Sequence, residues 1–133
     1  MKKNIMFLFI MFCLIYSSLY SSEFEVAGTI RNKGNGWEII ANSEHKPLNL
    51  YSVSCDTLRI KITYTQIASQ VITLLLSPDE TFSRRGYLAG ASVGLSFSYI
   101  YIYQIVNGDI VLVDPSTVMS SSGNFWIYGK FEN

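Results

Sequence analysis

The chain has 133 residues, ten Lys and Arg against ten Asp and Glu, one His and two Cys, and 49% of it is apolar. That is enough chain for one small domain, too little for a TIM barrel or a complete doubly wound nucleotide-binding fold, and too apolar for a disordered protein. Zero net charge leaves no electrostatic footprint for nucleic acid, and two Cys make at most one disulfide.

Met1-Lys2-Lys3-Asn4 is a short basic start, Ile5 to Tyr16 is an uncharged run of 12 residues, and Ser17 to Ser22 supplies small residues for cleavage. This is the three-part pattern of a secretory signal peptide. The apolar run falls short of the ~20 residues of a spanning helix. A lipoprotein anchor at Cys13 is rejected because Phe12 is bulky where a small residue is needed. The expectation is cleavage after Ser21, which gives a signal peptide at 1–21 and one domain at 22–133. The destination is a bacterial periplasm, a cell surface or the medium. The domain then carries eight basic and ten acidic residues, a net charge of −2, and a single Cys, Cys55. No base or cation neighbours that thiol, so it is expected to be buried and inert.

Phe24, Val26 and Ile30 alternate with Glu23, Glu25 and Thr29, the period-2 signature of a half-buried strand. Asn32 to Gly36 supplies a turn and Trp37 to Ala41 returns, so the two form a hairpin. Asn42 to Pro47 is a polar loop, and Leu48, Leu50 and Tyr51 open a weaker extended segment. Leu58 to Thr65 alternates apolar and polar residues without a fault. Val71 to Leu76 is continuously apolar, the pattern of a strand buried on both faces. Ser77-Pro78-Asp79-Glu80 is a turn signal, and no element is assigned from Ser83 to Gly94. Leu95 to Val106, Asn107-Gly108 and Asp109 to Asp114 read as a long hairpin, because a type I′ turn favours Asn-Gly. Its register sets Val106 against Asp109, Ile105 against Ile110, Tyr103 against Leu112 and Tyr101 against Asp114. Phe125 to Phe131 forms the last strand. About seven short strands between turn signals predict an all-β fold, a single antiparallel β-sandwich of jelly-roll or Ig-like type.

The chemical motifs are thin. Gly90-Ala91-Ser92-Val93-Gly94 fits the G-x-S-x-G nucleophile elbow, but a strand former follows where a helix is required, and the one His, His45, lies upstream. Gly86, Gly90 and Gly94 have the spacing of membrane helix-dimer motifs, and no charge occurs from Gly86 to Gly108. The strict alternation from Ser96 to Tyr103 argues for a strand there instead. His45 lacks companions at metal-ligand spacing, Asp79-Glu80 with Arg84-Arg85 reads as an ion-paired surface turn, and Glu23, Glu25 and Glu38 have no separation set by sequence. No nucleotide or metal fingerprint is present, so no cofactor is expected.

The strongest feature is aromatic. Phe97, Tyr99, Tyr101 and Tyr103 project from one face of one strand, while Ser96, Ser98, Ile100 and Ile102 occupy the other. With the Ile face toward the core, the phenols form a row suited to a glycan or a protein ligand. The expected function is therefore a non-enzymatic binding module. Tyr99, Tyr101 and Tyr103 stack on the ligand, and Asp114 accepts a hydrogen bond beside Tyr101. Trp37, Trp126 and Tyr128 are candidates to extend the surface, although Trp is more often a core residue. The alternatives are a homo-oligomeric surface component with the apolar hairpin between subunits, and a membrane-active protein that inserts Gly86 to Gly108.

Overall fold

A computed structural model describes residues 22–34, 36–41, 46–118 and 123–133. Among these, the strands are β1 (Glu23–Asn32), β2 (Trp37–Ile40), β3 (Leu50–Cys55), β4 (Ile60–Tyr64), β5 (Gln70–Pro78), β6 (Tyr87–Val93), β7 (Phe97–Val106), β8 (Asp109–Val113) and β9 (Asn124–Glu132). A short helix α1 (Glu80–Arg84) and a 3-10 turn (Pro115–Thr117) complete the elements. The strands form two antiparallel sheets, one ordered β2-β1-β9-β5 and the other β3-β4-β7-β6, with β8 also paired to β7. The expected all-β architecture of two facing antiparallel sheets is present.

Alternation explains the core. In β1, Phe24, Val26 and Ile30 turn inward; in β9, Phe125, Ile127 and Phe131; in β7, Ser98, Ile100 and Ile102. With Ile60 and Ile62 of β4 they form one cluster between the sheets. Each fully buried Ile or Phe contributes about 1.5–3 kcal/mol relative to an exposed position. Phe131 stacks on Phe24 at 5.3 Å between ring centroids and meets Tyr64 of the opposite sheet at 4.9 Å. The Tyr64 hydroxyl and Ser98 Oγ hydrogen-bond each other inside the core, which satisfies both polar atoms where water is excluded. Gly28 faces Leu50, whose Cδ1 would lie 2.5 Å from a Cβ at that position, so a side chain there would have to displace the end of the Leu50 side chain.

The β7–β8 hairpin has the expected turn, with φ of 54° at Asn107 and 93° at Gly108, both in the left-handed region. Its ladder pairs Val106 with Asp109, Ile105 with Ile110 and Tyr103 with Leu112. It ends at Ile102–Val113, one pair short of Tyr101–Asp114. Asp114 instead turns away to cap the 3-10 turn, its Oδ1 accepting from the Ser116 backbone N–H at 2.9 Å and from Ser116 Oγ at 2.7 Å. Asn32 Nδ2 and Trp37 Nε1 both donate to the Pro115 carbonyl, clamping that turn against the first hairpin.

Several expectations are corrected. Val71 to Leu76 is not buried on both faces: β5 is the edge strand of its sheet, and Leu75 is 59% exposed on the outside. Its apolar run reads as doubly buried because the outer residues are apolar as well. The segment without an assignment holds α1 and β6. Asp79 starts the helix by accepting from the Phe82 N–H, and Phe82 is fully buried against Phe125. Gly90 to Val93 lies in strand β6 with Ser92 exposed, and no helix follows it, so the nucleophile-elbow context is absent. The uncharged stretch is strand rather than helix, and no helix among the described residues is long and apolar enough to cross a membrane. Cys55 is half-buried, not fully buried, and burial raises its thiol pKa. His45 lies outside the described residues.

Candidate functional site

The two faces of β7 divide as the alternation predicts. Ile100 and Ile102 are fully buried, and Phe97, Tyr99, Tyr101 and Tyr103 lie half-buried on the outer face of the five-stranded sheet. Register places their neighbours. Ser92, Gly90 and Leu88 of β6 stand opposite Tyr99, Tyr101 and Tyr103. Lys61 and Thr63 of β4 stand opposite Tyr99 and Phe97. Gly90 and Ser92 are small, so the flank of the row toward β6 stays low beside the rings.

The flank toward β4 is cationic. The Arg59 guanidinium lies 3.7 Å from the Tyr99 ring centroid, and the Lys61 ammonium lies 4.5 Å from that of Phe97. Both are cation–π contacts, worth about 0.5–1 kcal/mol each at exposed sites. Arg59 is held in place from two sides. The neighbouring Tyr101 hydroxyl is the main cause of a pKa raised above the usual Arg value, and Arg59 Nε donates to Asp56 Oδ2 at 3.4 Å. Asp56 is itself fixed, accepting at Oδ1 from the Leu58 and Arg59 backbone N–H groups, which lowers its pKa. Thus two rings of the row already carry cations.

Beyond Tyr101 the face becomes aliphatic. Leu88, Tyr103 and Leu112 form one cross-strand row, and Ile105 with Ile110 forms the next. Directly paired residues share a sheet face, so these side chains continue the Tyr surface toward the hairpin tip. All four aliphatic residues are exposed, and Ile110 reaches 67%. Among the described residues the strand that carries Ile110 and Leu112, β8, pairs only with β7, and its other edge is open there.

Of the predicted site residues, Tyr99, Tyr101 and Tyr103 share one face; Asp114 is engaged by its own turn. Trp37 is core, its ring tilted against Phe125 and its Nε1 bonded to the Pro115 carbonyl. Trp126 and Tyr128 belong to the outer face of the other sheet and do not extend the Tyr row. Arg59, Leu88 and Leu112 were not expected in the site. Arg59 is legible as an outward residue of the Leu58–Thr65 alternation, but its place over Tyr99 depends on a β4–β7 pairing that leaves no local mark. The three acidic residues of the first hairpin each have a partner. Glu38 pairs with Arg31 and Lys33, Glu23 pairs with Lys130, and Glu25 accepts from the Tyr128 hydroxyl. No cluster of His, Cys, Asp and Glu suited to a metal occurs among the described residues.

Neither protein-family models, nor curated proteins, nor solved structures give a match to this chain.

Proposed function

We propose that the chain is an exported, non-enzymatic binding module that holds a protein partner on the outer face of its five-stranded sheet. One observation carries this reading: the half-buried tyrosines of β7 run without a charge into the exposed Leu88, Leu112, Ile105 and Ile110. A flat face that combines Tyr, Arg and aliphatic residues has the composition of a protein–protein interface. It suits a glycan less well, because Arg59 and Lys61 already cover Tyr99 and Phe97. The open edge of β8 offers backbone groups to an added strand, the mode in which main-chain bonds give affinity and side-chain pockets give specificity.

A second copy of the chain is the other reading, and β8 itself favours it. Paired antiparallel to its own copy about Val111, β8 would set Asp109 against Val113 and Ile110 against Leu112. No like charges would meet.

The experiment begins with the product exported by a host that expresses all 133 residues. A product lacking residues 1–21 supports the signal-peptide reading. Light scattering on a sizing column then separates the two occupants: a monomer favours a foreign partner, and a discrete dimer favours the second copy. For a monomer, peptides selected from a random display library are titrated against wild type and Tyr101→Ala. The expected result is loss of binding worth about 2 kcal/mol, a hot-spot effect, with thermal unfolding unchanged. If Tyr101→Ala binds the peptides as wild type does, or fails to fold, the Tyr face is not the binding surface.

A further inference from the structure

The outer face of the four-stranded sheet contains a cavity of about 410 Å³. The volume falls within the range of small-molecule sites, roughly 300–1,000 Å³. Two cross-strand rows run beneath it, Ala27–Tyr128–Leu75 and Thr29–Trp126–Ser77, from β1 across β9 to β5. Neighbouring strands lie about 4.8 Å apart, so the floor spans about 10 Å from β1 to β5. Leu48 exchanges backbone hydrogen bonds with Ala27 in both directions, which ties the preceding Lys46 to the β1 side of the cavity.

What the cavity offers a ligand is mostly carbon. Leu75, Trp126 and Tyr128 are large apolar side chains left exposed side by side, and contiguous exposed apolar surface on a small domain marks a binding site. The Tyr128 hydroxyl donates to Glu25 Oε1 at 3.0 Å, so its ring is oriented in advance and its polar atom is occupied. Trp126 has a partner of its own and serves here only as wall. Thr29 is buried beneath the floor and presents no polar atom.

Charge gives the cavity a direction. Among the described residues Lys46 is the one charged side chain that lines it, and no carboxylate pairs with it there. The row beyond Ala27–Tyr128–Leu75 is Glu25–Lys130–Thr73. In that row Glu25 holds the Tyr128 hydroxyl, and Lys130 is paired with Glu23. The apolar floor therefore ends in paired charges on one side and in an unpaired ammonium on the other. An apolar body with one cation at its rim selects an amphiphile with an anionic head.

We infer that this cavity binds a medium-chain fatty acid, with its carboxylate on the Lys46 ammonium and its alkyl chain lying across β9 to Leu75. The carboxylate gains a cation and keeps its distance from Glu25, and the chain leaves water for a carbon-lined floor. Each methylene that is fully withdrawn from water tightens binding up to about fourfold. Affinity therefore rises with chain length until the chain outruns the floor. The site is on the opposite sheet from the Tyr face of β7 and does not depend on a protein partner there.

The test is protein-observed NMR on the exported product with hexanoate, octanoate, decanoate, decan-1-ol and decylamine, each titrated separately below its micelle concentration. Saturable shifts of the Leu75 methyl groups and the Tyr128 ring are expected with decanoate, weaker with octanoate and weakest with hexanoate. Decylamine should bind less tightly than decanoate. Lys46→Gln should weaken decanoate about threefold, the scale of one exposed ion pair, and leave decan-1-ol unchanged. Leu75→Ser should weaken both about tenfold; the side chain faces outward, so the thermal midpoint should stay that of wild type. Silence from all three carboxylates overturns the inference. So do decylamine binding as tightly as decanoate, decanoate binding that Lys46→Gln leaves unchanged, and shifts confined to the Tyr face of β7. Co-sedimentation with phosphatidylglycerol vesicles without decanoate binding overturns it too, because the face would then be a membrane contact.

Discussion

Asp79 is the side chain that most of the local order around the α1 end of the molecule depends on. Its Oδ1 accepts from the Phe82 N–H at 3.0 Å, and its Oδ2 accepts from the Asn124 N–H at 2.9 Å. One carboxylate therefore starts both α1 and β9. Gly123 packs against it, with a φ of 116° that disfavours any side chain and no room for a Cβ beside the carboxylate. Asp79→Ala would strand two N–H groups at once. The cap alone is worth about 0.5–2 kcal/mol, and the orphaned donor at Asn124 adds about 1–3 kcal/mol if it stays buried. The expected result is a thermal midpoint lowered by several degrees, with Asp79→Asn intermediate because one acceptor survives. Circular dichroism melts measure it, and coincident curves for Asp79→Ala and wild type would remove the residue from this role. The sequence marks Asp79 only as part of a turn. A helix of five residues is too short to show a 3.6-residue period, and the bond to Asn124 spans 45 positions.

At the level of elements, legibility followed local chemistry. The β7–β8 hairpin is readable because Asn107-Gly108 meets a backbone need for positive φ, and that fixes every pair along the ladder. β1, β4 and β9 are readable because each has one buried and one open face. β6 is not: Ala89, Gly90, Ala91 and Ser92 have poor strand propensity, and the strand is held by pairing with β7. β5 looked doubly buried because apolar Leu75 sits on an outer face. The element that natural proteins usually guard is β8, an edge strand of sequence Asp-Ile-Val-Leu-Val without Lys, Pro or a bulge. Val111 is exposed on it. Val111→Lys is therefore expected to reduce concentration-dependent association while changing stability by no more than about 0.5 kcal/mol, as for ordinary surface substitutions. Sedimentation velocity over a wide concentration range reads the first quantity and a urea melt reads the second. A variant that associates as strongly as wild type would mean that β8 is not the contact.

For the whole molecule, the long-range arrangement was the least legible level. β1 and β9 pair from Glu23–Glu132 to Arg31–Asn124, joining the first and last strands, and nothing within either segment announces the other. The outer face of the Tyr row was legible, because alternation alone sets it. The cavity on the other sheet was not, because it needs β1, β9 and β5 side by side. The same long-range pairing concentrates charge at one corner, and this gives the stability a pH profile. Glu23 lies opposite Glu132, and Lys130 answers Glu23. That ion pair raises the Lys130 pKa, and the bond to Glu25 raises that of Tyr128. A group whose folded pKa is raised contributes fully below its ordinary value and loses the contribution as pH climbs through the folded one. The alkaline loss should thus begin near the ordinary values of 10.0 for Tyr and 10.5 for Lys. On the acid side, Lys33 and then Arg31 lower the Glu38 pKa, and backbone N–H groups lower that of Asp56. Their contributions are present above the ordinary values of 4.5 and 3.8 and fade as pH falls below them. The groups are exposed, so each effect is small and salt-sensitive. The urea midpoint should be flat between about pH 5 and about pH 9 and fall on both sides. Glu38→Gln should shallow the acid fall, Tyr128→Phe the alkaline one, and high salt both. A midpoint that rises from neutral pH into the alkaline range would contradict the ion-paired corner that joins the first and last strands.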